Sequence, residues 1–571
     1  MGLVLLAAVA EVASLGAVLP FLTVLAAPEA AFEFPIVARA AASFGIASPG
    51  ELVLLLTLAF VAAAVLSAAI RLLLLRTSTR YAFGTGSDLS IEVYRRTLYQ
   101  SYSVHVARSS SQVISGITQK VGGTMLGILL PSLTLLSSIV MIVAILAALI
   151  VIDPMVAAVA MLGFGTSYAV ITWRSRKRLR ENSQRIAHEQ TQLVKALQEG
   201  LGGIRDVLLD GTQSAYCDVY RRADMPLRRA QAANVFMAQS PRFLMEALGM
   251  ILIASLAYGL SRQAGGIAAA LPVLGALALG AQRLLPALQQ GFAAWASITG
   301  NQSALRDTIE LLDQPVPEEL LQQVEPLEFR DAIRFRDVSF RFATDGPWVL
   351  DRLNLSIPKG ARVGFVGSTG GGKSTTMDLF MGLLTPTVGE ILVDGESVTG
   401  ARVRSWQRTI AHVPQSIYLA DTTVAENIAF GVPNAAIDRD RMREAATRAH
   451  VADFIEGRPE GYDALVGERG IRLSGGQRQR IGIARALYRR ASVLVLDEAT
   501  SALDNRTEQS VLDSIESLDR ELTILIIAHR LSTVQRCDSI VELEQGRIVA
   551  QGAYEELLGR SPSFRRMAGI D

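Results

Sequence analysis

Six stretches of this chain are long and apolar enough to occupy a hydrocarbon layer. They cover roughly residues 3–26, 52–74, 125–151, 155–173, 243–261 and 266–288, and a helix needs ~20 such residues to cross a bilayer. Without water, every backbone N–H and C=O in such a segment must pair internally, so each is predicted to be an α-helix. All six lie in the first 300 residues of 571, and the last 240 have the mixed composition of a soluble domain. A chain of this length is predicted to hold several domains. We place them at 1–305 (six membrane spans), 306–330 (linker) and 331–571 (soluble α/β domain).

The polar stretches between spans set the topology. Residues 76–124 carry Arg76, Arg80, Arg95, Arg96, Arg108 and Lys120, and residues 174–240 open with Arg174, Arg176, Lys177, Arg178 and Arg180. The opposite loops, 27–51, the Asp153–Pro154 turn and 261–265, hold only Arg39 and Arg262. This bias places the two long stretches in the cytoplasm. An even number of spans then returns the chain to the cytoplasm before residue 306. Both long stretches keep helical periodicity with few breakers, so they read as membrane helices prolonged beyond the bilayer. Breaks at 107–112 and 210–214 are places for a short helix.

The N-terminal run has no basic residue before it and contains Glu11. It therefore reads as a first membrane helix rather than a secretory signal, which begins with positive charge. Residues 28–50 scatter Phe32, Phe34, Ile36, Val37, Phe44 and Ile46 among small residues and three prolines. Two readings fit, a short amphipathic helix on the outer membrane surface and an ordinary surface loop. A net charge of +1 gives no electrostatic reason to expect nucleic acid. Two cysteines, Cys217 and Cys537, are too few for a disulfide framework and read as cytoplasmic thiols.

Residues 331–571 alternate strand-like and helix-like runs, the pattern of an α/β domain. Gly367-Ser368-Thr369-Gly370-Gly371-Gly372-Lys373-Ser374-Thr375 fits G-x-x-x-x-G-K-[ST] once, after the apolar run 363–366 and before a helical run. Glycines let backbone N–H groups converge on phosphate oxygens at a helix N-terminus. Lys373 is then expected on the β- and γ-phosphates and Ser374 on Mg²⁺. Val493-Leu494-Val495-Leu496 reads as a strand buried on both faces. Asp497 at its carboxyl end is a candidate Mg²⁺ ligand, and Glu498 a candidate general base toward water.

With Leu473-Ser474-Gly475-Gly476-Gln477 between these motifs, residues 331–571 resemble the nucleotide domain of ABC exporters over their whole length. The fold implied is an all-α six-helix membrane domain followed by an α/β P-loop domain, using ATP and Mg²⁺. The resemblance implies a Q-loop role for Gln415, in contact with Mg²⁺ and coupled to the membrane part. It makes Gly467-Glu468-Arg469-Gly470 the exporter loop before the signature, Asp504 in SALD the D-loop aspartate, and His529 in IIAHRLST the switch histidine on the γ-phosphate. Phe342 stands where a tyrosine usually stacks on adenine; a core strand phenylalanine is the bland alternative. In this family, residues 474–477 of one chain close over phosphates held by another. Intact motifs therefore imply a homodimer with two equal sites, and a heterodimer satisfies the same sequence.

The cargo must be read from the membrane half. Arg71, Arg242 and Arg283 lie near the cytoplasmic ends of spans two, five and six. Intramembrane charges are functional candidates, and guanidinium groups bind phosphate bidentately. Snorkelling, or pairing such as Arg242 with Glu246, competes with that reading. Residues 11–26, 240–249 and 281–288 resemble bacterial flippases for lipid-linked oligosaccharides. That likeness implies an external helix near 35–46 meeting a polyprenyl tail, a pyrophosphate held by the three arginines, and a site in the bacterial cytoplasmic (inner) membrane. The rival is an exporter of hydrophobic drugs, lipids or peptides. Six spans exclude a soluble cassette ATPase.

Overall fold

A computed structural model describes residues 2–13, 49–152, 154–261, 266–317, 324–498, 521–528 and 530–570. The chain divides into two compact units, Met1–Gln100 with Ala107–Pro315, and Ser101–Val106 with Val316–Asp571.

The first unit is helical throughout its described residues. Gly2–Ala13 is a short apolar helix. Pro49–Leu98 and Pro154–Gly202 run unbroken for 50 and 49 residues. At ~1.5 Å per residue these are about 75 Å long, more than twice the ~30 Å of a hydrocarbon core, so polar helix continues well past the apolar part. Residues 110–152 are also helical, with π turns at Gly116–Lys120 and Met125–Leu129. Among the described residues, Val53–Leu98 and Ser110–Val151 contain windows long and apolar enough to cross a membrane. The other apolar runs lie on Pro154–Gly202, Pro241–Ser261 and Gly266–Gly300. Span one beyond Ala13, and the candidate external helix at 35–46, lie outside the described residues. A short helix occurs at Ile204–Leu209, just before the sequence break at 210–214, and another at Tyr102–Ala107, nearly all of it in the stretch that groups with the second unit, reaches the break at 107–112.

Packing inside this unit uses a narrow core. Ile145, Leu149, Phe164, Met245, Leu284 and Phe292 are buried together, with Tyr168 and Phe292 rings 5.5 Å apart. Leu58, Val61, Val65, Leu66 and Leu72 on Pro49–Leu98 are exposed, as suits helices that face lipid or another subunit. The segment read as the start of the linker is a helix, Gln302–Leu312. It is tied to the unit by Lys120–Asp307 at 2.6 Å and by a Thr124–Thr308 hydroxyl contact at 3.0 Å.

The second unit has two sheets. Its strands are β1 (Ala332–Phe340), β2 (Leu350–Pro358), β3 (Arg362–Val366), β4 (Val388–Val393), β5 (Glu396–Ser397), β6 (Ile410–Val413), β7 (Val493–Asp497), β8 (Thr523–Ile527), β9 (Ser539–Glu544) and β10 (Arg547–Gly552). One sheet is antiparallel in the order β2-β1-β4-β5, and the other runs β10-β9-β3-β8-β7-β6. In the second sheet β9, β3, β8, β7 and β6 are mutually parallel. Alternating side chains of those strands enter two different cores. Leu494 and Leu496 of β7 and Ile524 and Ile526 of β8 pack on one face, with Ile481 and Ala484. Val493, Val495, Leu525 and Ile527 pack on the other, with Phe365 and Trp406. A parallel strand covered on both faces must be apolar at every position, which is why β7 reads as a continuous run. The carboxyl ends of β3, β6 and β7 then carry the loops where ligands of such sheets bind.

Arg485 clamps this unit internally. It lies on the helix Gly475–Tyr488, donates to the carbonyl oxygens of Asn427 (2.8 Å) and Tyr418 (3.0 Å), and stacks on Phe430. Burial pulls its pKa down to about 10. Arg485→Met leaves the carbonyl of buried Asn427 without its donor and is expected to cost about 2–4 kcal/mol. Arg485→Lys should recover less than half of that, because an ammonium lacks the planar fork. Thermal melts of the detergent-solubilised protein check both; full recovery by lysine would contradict the clamp.

Candidate nucleotide site

The glycine loop follows β3 and runs into the helix Lys373–Phe380, with Gly372 as its N-cap at φ 100°. Gly367 is at φ 140°, and a Cβ there would sit 2.0 Å from the carbonyl oxygen of Leu543. A side chain is therefore excluded by backbone and not only by preference. Gly370, at φ 80°, faces open space. Lys373 is buried, and its Nζ donates to the carbonyls of Gly367 (2.8 Å) and Ser368 (3.0 Å). Ser374 is exposed and Thr375 half-buried in the first helical turn. Narrow backbone, a helix N-terminus and a buried ammonium fit a polyphosphate, and the exposed Ser374 hydroxyl fits a divalent cation beside it.

Three acidic groups and an amide converge at the ends of β6 and β7. Gln415, two residues after β6, donates from Nε2 to Glu498 Oε2 at 2.7 Å. Glu498 holds φ 49°, and its N–H donates to the Ile527 carbonyl at 3.1 Å. A non-glycine residue in this region costs of order 1–3 kcal/mol and persists only where its surroundings impose it. Burial lowers the Lys373 pKa, and the carboxylates of Glu498 and Asp497 oppose that shift. Both acids are thus electrostatic neighbours of the lysine. Asp378, one turn along the helix from Ser374, joins them. Burial, followed by the charge of Asp497, pushes its carboxyl up to about 6. Sequence reading passed over Asp378; its signal was the spacing of four residues from Ser374, which puts both on one helix face.

Ser474 and Gln477 build the start of Gly475–Tyr488. Ser474 Oγ accepts from Gln477 N–H at 3.3 Å, and Gln477 Oε1 accepts from Ser474 N–H at 2.9 Å. This is a reciprocal capping box, a structural duty the sequence reading did not assign. Ser474→Ala should cost about 1 kcal/mol and Ser474→Gly a few tenths. Melts of the nucleotide-free protein test the cap, and equal stability of the two variants would contradict it. Within the preceding loop, Arg469 at φ 51° sits between Gly467 and Gly470, both also at positive φ.

Phe342 is 64% exposed, with its ring edge-on to Phe340 at 5.0 Å. The core-strand alternative therefore does not hold for Phe342, whose ring is at the surface. His529 and Asp504 lie outside the described residues.

Comparison with known proteins covers both halves. Residues 350–501 match the family described as ABC transporter, and residues 5–266 the family described as ABC transporter transmembrane region. The ATP-dependent lipid A-core flippase of Paraburkholderia xenovorans (strain LB400) is 32% identical over 530 residues, 88% of this chain and 86% of that protein. The chain belongs to the ABC exporters. A second lipid A-core flippase, from Alkalilimnicola ehrlichii, is 35% identical to the exporter over 413 residues, 70% of this chain and 68% of that one. The heterocyst differentiation ATP-binding protein HepA of Nostoc sp. (strain PCC 7120) is 36% identical over 386 residues, 67% and 62% of the two chains. The solved structure of a bacterial Atm1-family ABC exporter with ATP bound superposes with a TM-score of 0.78 at 26% identity, covering 97% of this chain and 98% of that one. The exporter is a membrane protein and an ATP-driven translocase.

Two of the exporter's three candidate cargo arginines carry a carboxylate partner. Arg71 Nη1 lies 3.1 Å from Glu11, whose side chain is 3% exposed and also accepts from Ser67 Oγ at 3.3 Å. Arg242 Nε lies 2.8 Å from Glu246, the pairing that the four-residue spacing allows. Arg71 and Arg242 are nevertheless half-exposed or more, at 48% and 62%. Arg283 lies on the helix Gly266–Gly300, and its side chain is outside the described residues.

Proposed function

We propose that this exporter hydrolyses ATP to flip a lipid-linked oligosaccharide, or a related anionic amphiphile, from the inner to the outer leaflet of the bacterial cytoplasmic membrane, as a homodimer with two equal ATP sites. The observation that carries the lipid part is the set of relatives named as ATP-dependent lipid A-core flippases.

In the engine, the loop 367–372 and Lys373 bind the phosphates through backbone N–H groups and one ammonium. Ser374 and Asp497 would hold Mg²⁺, with Gln415 beside them, and the ion would supply charge neutralisation on the phosphates. Glu498 takes the proton from the attacking water. Its Oε2 accepts from Gln415 Nε2 at 2.7 Å. Phe342 stacks on adenine. Ser474–Gln477 of the partner chain close the site, with Asp504 and His529 in the roles that the family resemblance gives them.

For the cargo, each described salt bridge engages one guanidinium nitrogen of Arg71 or Arg242. Each head thus retains donors for a phosphate. A pyrophosphate head would sit among Arg71, Arg242 and Arg283 while the lipid tail stays in the bilayer. ATPase activity in nanodiscs, with and without polyprenyl-pyrophosphate sugars, tests this reading. Stimulation is expected in the wild type and is expected to be lost in Arg283→Ala. Equal stimulation in both, or none in the wild type, would contradict the arginine site.

A further inference from the structure

A cavity of about 470 Å³ lies in the polar helical part of the first unit, apart from the arginines assigned to cargo. Its walls come from residues 108–120, the helix Pro154–Gly202, the helix Gln302–Leu312 and the residues just after it. Four observations make it more than a gap between helices. First, the π turn Gly116–Lys120 lies in the wall, and such turns often mark functional sites. Gly116 fits there because a Cβ would meet Leu311 at 2.8 Å. Second, Gln314 lines the cavity at 5% exposure, and both atoms of its side-chain amide lack a hydrogen-bond partner. Buried amides are almost always satisfied, so each exception asks for an explanation. Ser115 Oγ, just before the same turn, and Gln119 Oε1, within it, are also unsatisfied, though neither side chain lines the cavity. Third, the Arg, Lys, Asp and Glu charges in the wall cancel, with Arg108 and Lys120 set against Asp307 and Glu310 and His188 beside them. Fourth, Lys120 and Asp307 neutralise each other at 2.6 Å, whereas Arg108 and Glu310, both exposed at the cavity's edge, have no ion pair among the described residues.

We propose that this cavity binds a small zwitterion, a molecule with a carboxylate or phosphate at one end and an ammonium at the other. Arg108 takes the anionic end and Glu310 the cationic end. The Gln314 amide supplies one donor and one acceptor to the polar middle. An ion of single sign gains little in a wall of cancelling charge, and an apolar molecule would strand the polar side chains. Free peptides and amino acids have this chemistry, as does a zwitterionic lipid headgroup.

The test uses the full-length chain in nanodiscs and three peptides: triglycine, its N-acetyl form (carboxylate only) and its C-terminal amide (ammonium only). Triglycine is expected to bind at least about tenfold more tightly than either control. Arg108→Gln should remove the preference over the C-terminal amide, and Glu310→Gln the preference over the N-acetyl form. Gln314→Leu should raise the melting temperature of the unliganded protein, because it removes an unsatisfied amide, and should weaken triglycine binding. Nanodiscs of phosphatidylethanolamine and of phosphatidylglycerol distinguish the sources. Competition between triglycine and the former lipid alone identifies a headgroup as the resident ligand. Equal binding of the three peptides, no binding at millimolar concentration, or preferences unchanged in the two charge variants would overturn the proposal.

Discussion

Glu498→Gln is expected to lower steady-state ATP turnover by about 10²–10⁴-fold, the usual worth of a positioned general base, while ATP still binds. Glutamine keeps the shape and still offers an oxygen to Gln415 Nε2, which donates to Glu498 at 2.7 Å. It removes the negative charge and with it the proton acceptor. The lysine and the glycine loop are untouched, so affinity for ATP should stay within a few-fold. The variant should therefore retain nucleotide after rapid washing, whereas the wild type retains product. Phosphate release over several turnovers, read beside retained radiolabelled ATP, measures both. Multiple turnover near the wild-type rate would remove Glu498 from the role of base. Loss of ATP binding would mean that its unusual backbone angle, φ 49°, matters more than its carboxylate.

Lys373→Ala acts on the other side of the site. The ammonium is buried and donates to two loop carbonyls. It also sits where Glu498 and Asp497 raise its pKa against the effect of burial. A charge-assisted bond to phosphate contributes about 1.5–3 kcal/mol, so ATP affinity should fall about 10–100-fold, and turnover at least as far. Lys373→Met keeps the bulk and omits the charge. It should bind ATP as poorly yet melt no lower than the wild type without nucleotide, because burial opposes the charged form. Calorimetric titration with ATP and a nucleotide-free melt separate the two effects. Unchanged affinity in both variants would exclude Lys373 from the phosphate site.

Much of the second unit was legible because its chemistry is local. Strand β7 is apolar from Val493 to Leu496 since both its faces are covered there, and the glycine loop must be glycine where Leu543 crowds Gly367. The capping box of Ser474 and Gln477 was equally local, a serine followed three residues later by glutamine, but a functional reading of the same residues hid it. Long-range pairs were not legible. Glu11 meets Arg71 across 60 residues of sequence, and periodicity says nothing about which faces of two helices meet. The intrahelical pair Arg242–Glu246 was readable from spacing alone. The π turn that carries Lys120, which pairs with Asp307 on Gln302–Leu312, leaves no mark in composition. Phe342 shows the limit of pattern at a strand end, since its neighbour Phe340 is buried and it is not.

The most direct test of the account is transbilayer movement itself. Purified protein in proteoliposomes, with nucleotide domains facing out, would be given a polyprenyl-pyrophosphate sugar labelled on its headgroup, and the externally accessible label followed on adding ATP and Mg²⁺. Outer label is expected to be lost in a way that depends on ATP, disappears in Glu498→Gln and slows in Arg283→Ala. Continued ATP hydrolysis with no ATP-dependent loss of label would contradict flipping of a lipid-linked sugar and leave an ABC exporter of another cargo.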